Sequence, residues 1–327
     1  MTYRAGRANY QRIECEFCSR WVTHEVTPSI RRAAQAGGDM AQSFTKKTIA
    51  ITITVSGVQK RIEGLACKCR VSKLGLPDKN KASVSIWGLS LDDMTAMTTL
   101  SYGPLRYASR NHMIIEAGEQ GGALSRVFSG NIMSAWADFN SAPDVEMKFE
   151  AMTGGYAALI AQSPVASSGT AKAAELCGQF AKECGLSFVN QGINISVDNS
   201  VYSGSPLEKA QAVAKQVGAD LIIDDDKMTL LPRGETLKGG SVVVLSPETG
   251  MIGYPTFTNN GIAVKCFFNP SAQRGGQVKI SSIVPKSSGT WRITKVDHDL
   301  SAYDPKGGPW ETTIEATHGA GFLAGSL

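Results

Sequence analysis

A chain of 327 residues, 42% hydrophobic and 19% charged, has the makeup of a folded globular protein, which excludes a disordered one, and it is long enough for two or three domains of roughly 150 residues each. Its 33 Lys and Arg against 29 Asp and Glu leave a net charge of +4 with no long basic run, which excludes a dedicated nucleic-acid binder while still permitting a protein that lets nucleic acid pass without gripping it. No apolar stretch of about 18 residues suggests a transmembrane helix, no basic-then-apolar start suggests a secretory signal, and seven scattered cysteines, an odd number, read as reduced thiols of a protein made in a cytoplasm.

Residues 1–45 stand apart as an N-terminal arm. They carry Arg4, Arg7, Arg12, Arg20, Arg31 and Arg32 and little apolar periodicity. Met40 begins a stretch that looks like an ordinary protein start, so residues 1–39 are expected to be an extension, with a short helix around Ser29–Ala36. Cys15-Glu-Phe-Cys18 followed by His24 is the only metal-like spacing in the chain. A closed zinc site takes four ligands, and no second pair follows. The three residues therefore stay bare candidates, and no metal site is expected.

The first compact block, 46–153, is rich in strands. Ile49, Ile51, Ile53 and Val55 alternate along one face, as do Ala82, Val84 and Ile86, and later Val145, Met147, Phe149 and Ala151. Two more strands, Met113–Ala117 and Arg126–Trp136, flank the turn at Glu119–Gly122. One helix interrupts them, with Ser90 as N-cap and Asp93 at its third position before Met94, Met97 and Leu100. Cys67 and Cys69 share one face of a strand and read as small buried thiols.

The period then changes. Over 154–235 the sequence predicts a small α+β insert. Ala173, Leu176, Cys177, Phe180 and Cys184 form a helical stripe that Gly185 ends. Ser205-Pro-Leu-Glu208 opens a second helix that ends at Gly218. Strands at Asp220–Ile223 and Met228–Leu231 are joined by Asp224-Asp-Asp-Lys227, read as a solvated turn because the calcium-loop pattern is absent.

Strands return over 236–318. Gly261–Pro270, Gly276–Ile280, Trp291–Leu300 and Trp310–His318 alternate between turn-forming stretches and predict an antiparallel meander. Residues 319–327 read as a tail. The fold class is thus mainly β with an α+β insert.

Catalytic residues are not expected. His298 lies between Asp297 and Asp299, but neighbours on a strand point to opposite faces, so neither carboxylate can orient its ring. His112 and His318 read as polar residues at strand ends. Phosphate-binding, dinucleotide, nucleophile-elbow and zinc-protease motifs are all missing, and no cofactor is expected.

Three places carry a resemblance. Ala82-Ser-Val-Ser-Ile-Trp-Gly-Leu-Ser90 is similar to the strand that leads into a helix through Asn/Gly-Leu-Ser in the baseplate hub proteins of contractile-tailed bacteriophages. Val127-Phe-Ser-Gly-Asn-Ile132 resembles their Phe-x-Gly-x-Ile strand, and Gly261 through Trp310-Glu-Thr-Thr resembles their final barrel. The likeness covers roughly 46–318. It implies two tube-like antiparallel β-barrel domains flanking the insert, in a homotrimer around a channel. That trimer would join the tail tube protein to the central spike protein, contact other baseplate wedge proteins and pass DNA without binding it specifically during genome ejection. It would belong to the virion tail baseplate and be assembled in the host cytoplasm. The alternatives are an accessory tail protein with a peptidoglycan-binding or hydrolytic module, or the equivalent hub of a bacterial contractile injection system.

Overall fold

Alternating burial along the strands and stripes on the helices order the chain much as its periodicity predicts. The structure is a computed structural model, and it describes residues 46–318 apart from 56, 77, 99–110, 141, 156–161, 167–168 and 199. The expected extension with its helix at Ser29–Ala36, the candidates Cys15, Cys18 and His24, and the tail 319–327 lie outside the described residues.

In chain order, β1 (Lys47–Val55), β2 (Val58–Glu63), β3 (Cys67–Lys73) and β4 (Lys81–Trp87) precede helix α1 (Leu91–Met97), and β5 (His112–Glu119), β6 (Ser125–Asp138) and β7 (Glu146–Met152) follow it. The insert holds β8 (Gln162–Ala166), β9 (Thr170–Lys172), α2 (Ala173–Glu183), β10 (Ser187–Asn190), β11 (Ser196–Asp198), β12 (Val201–Gly204), α3 (Pro206–Gln216), β13 (Ala219–Asp224) and β14 (Lys227–Pro232). The chain then forms β15 (Val242–Leu245), β16 (Met251–Thr258), β17 (Gly261–Phe267), β18 (Gln277–Ile280), β19 (Gly289–Ala302) and β20 (Trp310–Thr317).

The helix ends follow their sequence signals. The Ser90 side chain accepts from the Asp93 N–H at the start of α1. Ser205 and Glu208 form a reciprocal capping box on α3, with Pro206 in its first turn.

The two β blocks are fused into one 13-stranded sheet, in the order β16-β17-β20-β19-β3-β4-β7-β6-β5-β1-β2, with β18 beside β19 and β15 beside β18. Among the described residues of this sheet only the β15–β18 pair is parallel; in the insert sheet β10 pairs with β14 in parallel as well. The join is β19 against β3, antiparallel from Val296 opposite Lys73 to Ala302 opposite Cys67.

This corrects the expectation of two tube-like β-barrel domains flanking the insert: the two blocks share one sheet. Among the described residues the sheet curls without closing: Thr48 Oγ1 on β1 comes within 3.1 Å of Tyr303 Oη just past β19, but no ladder joins those strands. The final segment is not a simple meander either. The turn at Asn269–Pro270 carries the chain past its neighbour, so that β17 pairs with β20 and β18 with the other edge of β19.

β19 supplies two cores. Leu300 and Ala302 join the cluster of the first block, around Ile51, Ile86, Phe128 and Phe149. Trp291, Ile293 and Val296 join the cluster of the last block, with Val264, Val278 and Ile314. A third cluster, around Phe180, Val213 and Leu230, lies between the insert helices and its three-stranded sheet β10-β14-β13.

Candidate functional site

His112, His298 and His318 are held as structural groups. His298 is 1% exposed, its Nδ1 lies 2.9 Å from Thr312 Oγ1, and its ring meets Phe268 edge-on. Asp297 pairs with Lys295 at 2.8 Å and Asp299 with Arg70 at 2.6 Å, so both carboxylates are engaged away from the imidazole. His112 begins β5, as its sequence position predicts, and its Nε2 lies 3.1 Å from Ser129 Oγ on the neighbouring strand. His318 stacks on Trp291.

Burial, and then the nearby charge of Lys73, lower the His298 pKa to about 3 from 6.5. The unfolded chain therefore takes up a proton below about pH 6.5 that the folded chain refuses until far lower pH. Stability should be intact above that value and fall on acidification, by up to about 1.4 kcal/mol per pH unit. His112, also lowered by burial, adds the same sign. The Asp138 and Glu208 carboxyls lie below their ordinary values of 3.8 and 4.5 and lose their stabilising effect only at still lower pH. Urea midpoints at pH 7.5 and pH 5 check the expectation, and equal midpoints would contradict it.

Cys67 and Cys69 are buried on the core side of β3. Burial raises the Cys67 thiol to about 12 and the Cys69 thiol well above its ordinary value, which leaves both unreactive. Among the described residues no group of three or more His, Cys, Asp or Glu is placed to hold a metal ion.

The acidic turn is solvated only in part: Asp226 and Lys227 are exposed, as its composition predicts, while Asp224 and Asp225 are half-buried. Asp224 accepts from Lys73 Nζ at 3.1 Å and from Asn80 Nδ2 at 3.0 Å. Asp226 accepts from Ser129 Oγ at 3.1 Å and Arg126 Nη1 at 3.2 Å. On the other side, Arg292 donates to Asp220 at 2.8 Å and to the Glu235 carbonyl at 2.7 Å. The insert is thus tied to both β blocks through polar contacts. Lys73 and Asn80 gave no sign of this role, because their partners are distant in sequence.

The face of the sheet opposite the cores is a surface of matched charge. Glu311, Asp299, Arg70, Ser83, Glu150 and Ser134 stand opposite one another, one per strand, from β20 to β6. Ion pairs tie the strands along this face: Lys265 to Glu311 at 2.7 Å, Arg70 to Asp299 at 2.6 Å and Lys148 to Asp138 at 2.8 Å. Such exposed pairs each stabilise by only about 0–1 kcal/mol. Their main effect is to cancel the field of each lysine or arginine locally. Large exposed apolar side chains include Phe139, Tyr254 and Phe257, and Phe267 stands on the charged face itself, opposite Glu311.

A continuous curled sheet carrying a small helical insert is a fold with known examples. The tail protein from Neisseria meningitidis MC58 superposes with a TM-score of 0.57 at 10% identity, over 83% of this chain and 96% of that one. The 43 kDa tail protein of prophage MuSo2 from Shewanella oneidensis gives 0.54 at 11% identity, over 83% and 98%. The E. coli c3393 protein, a type VI secretion component with structural similarity to the T4 tail proteins gp27 and gp5, gives 0.52 at 10% identity, over 82% and 78%. At these identities the likeness is one of fold, shared by two tail proteins and a secretion-system component. The chain belongs to the Baseplate hub gp41 family, whose profile matches residues 48–306. No curated protein matches it in sequence. Family membership makes it a structural protein of the phage tail baseplate.

Proposed function

We propose that copies of this chain form a ring, a homotrimer, that joins the tail tube to the central spike and encloses the channel through which DNA leaves. The observation that carries this reading is the single sheet running unbroken across both β blocks through β19 and β3. Strand ladders transmit load along hydrogen bonds, and a curled sheet with unpaired ends invites closure by further copies. Joining unlike edges repeatedly gives a ring when the turn closes. Each copy then contributes two tube-like β units, so three copies present six to the tube.

The charge-matched face suits a channel lining. A surface with little net positive field neutralises few phosphates, and salt-dependent gripping of DNA scales with the number neutralised. The chain carries no reaction of its own in this reading and needs no metal or cofactor. Tail tube, spike and wedge proteins are its partners. The glycan-binding alternative finds little support in the insert, where Phe180 and Tyr202 are buried and offer no aromatic platform. A hub of a bacterial injection system rests on the same fold, and neighbouring genes would separate the two.

Mass photometry tests the ring. A three-copy species is expected from the protein alone or on adding its spike. A monomer or dimer under both conditions would refute the reading.

A further inference from the structure

The outer face of the insert sheet carries a cleft that a structural ring has no need of. In β14, Met228 and Leu230 belong to the core beneath the helices, so Thr229 between them faces the other way. Its ladder partners, Val189 on β10 and Ile222 on β13, stand beside it on that side. The loop at Leu237–Gly240 forms the far wall. It is pinned there by the Leu237 N–H, which donates to the Gly275 carbonyl at 2.8 Å, and by the Lys238 N–H, which donates to Gln191 Oε1 at 2.9 Å. The acidic turn and Arg126 close the near end. The enclosed space is about 390 Å³, the size of a small-ligand site.

Two polar groups face this space without partners. Asp224 is held by Lys73 and Asn80, and Asp226 by Ser129 and Arg126. Asp225 between them is half-buried and, among the described residues, makes no hydrogen bond or ion pair. Burial pushes its carboxyl above the usual 3.8, against the pull of Lys73, as expected of an anion short of a counter-charge. Independently, Thr229 is 5% exposed, and its hydroxyl makes no hydrogen bond among the described residues. A buried hydroxyl left unsatisfied is costly, and a valine of the same shape would avoid that cost.

These features select the occupant. One free carboxylate suits a single positive charge and not a divalent ion, which takes several oxygen ligands. Val189, Ile222 and Leu237 offer an apolar floor on which an aliphatic stem can lie. Lys227 and Lys238 border the mouth and are exposed. They would repel the second ammonium of a free diamine, whereas the carbonyls of a peptide backbone can accept from them. We infer that the cleft takes a lysine or arginine side chain from a segment of a partner protein, with its charge on Asp225, its stem over Val189 and Ile222, and the Thr229 hydroxyl bonded to the same segment. The insert is then a docking module in its own right, and the inference needs no second copy of the chain.

The backbone at the turn provides a clean variant. Asp225 has φ of +49°, a conformation that asparagine also tolerates. Asp225→Asn therefore removes the charge and keeps the turn, and its thermal midpoint should equal or exceed that of the wild type.

NMR titration of methyl-labelled, full-length protein tests the site. Acetyl-Gly-Lys-Gly-amide and acetyl-Gly-Arg-Gly-amide are expected to shift the methyls of Thr229, Val189 and Ile222 saturably, while Ile51 in the core of the first block stays still. The norleucine peptide, matched in stem but uncharged, and 1,5-diaminopentane should each bind at least about tenfold more weakly. Asp225→Asn should weaken both basic peptides by a similar factor. Absence of a saturable shift at Thr229 from either basic peptide overturns the inference, as does equal binding of the norleucine peptide or equal binding to Asp225→Asn. Diaminopentane binding as tightly as the peptides would assign the cleft to a free amine and overturn the partner segment. None of these outcomes bears on the ring, which mass photometry decides separately.

Discussion

Replacing Val213 by aspartate is expected to unfold the helical insert. Val213 is fully buried in the cluster shared by α3, α2 and the insert sheet. Its neighbours in that cluster are apolar, among them Phe180 and Leu230, and the buried Lys209 one turn earlier is already engaged with the Ser163 carbonyl at 2.7 Å, so a carboxylate could be paired only by breaking that bond. An ion desolvated without compensation costs several kcal/mol even after relaxation. The expected result is loss of the far-ultraviolet helix signal and early proteolysis between residues 162 and 232, with the strand signal largely retained. A soluble variant with undiminished helix signal would refute the assigned buried face.

A second large effect is expected at the acidic turn. Lys73 keeps only 5% of its side chain exposed beside Asp224. Asp224→Ala would leave that ammonium buried without its carboxylate, a loss on the order of 3–5 kcal/mol. Lys73→Met in the same background should recover most of it, since the charge that needed an acceptor is gone. Asp226→Ala is the contrast. Its ion pair with Arg126 is open to solvent, with side chains 59% and 47% exposed, and its loss should cost no more than about 1 kcal/mol. Chemical denaturation of the four proteins checks the order. Equal effects from the two aspartates would show that the turn is solvated, as its composition suggests.

These two sites show what a sequence does and does not display. The stripe on α3, the Ser205 cap and the alternation of Trp310–Thr317 depend on neighbours one to four positions apart, and local spacing is legible. The role of Lys73 depends on a turn more than a hundred residues downstream, and in sequence it looks like any polar strand end. β16 escaped notice for a different reason. Gly253 and Pro255 interrupt its alternation, so Met251–Thr258 reads as irregular. Val58–Glu63 is a terminal strand exposed on nearly every residue, which leaves no apolar period to find. Fusion of the blocks through β19 and β3 is a non-local pairing that neither strand announces.

The shared strand also sets an order of events at the ribosome. The first block lacks Leu300 and Ala302 of its core, and the edge of Cys67–Lys73 stays bare, until the chain has been synthesised through Ala302. Nascent domains usually complete themselves from the N-terminus onward, but here the earliest block is finished by nearly the last strand made. Pairing across so long a separation is slow, because loop-closure entropy is spent before the contacts form. Throughout elongation a charged but unpaired strand edge is open to neighbouring nascent chains. The alternation of Lys68 and Arg70 on its outer face is the kind of gatekeeping that keeps such an edge from pairing with the wrong chain.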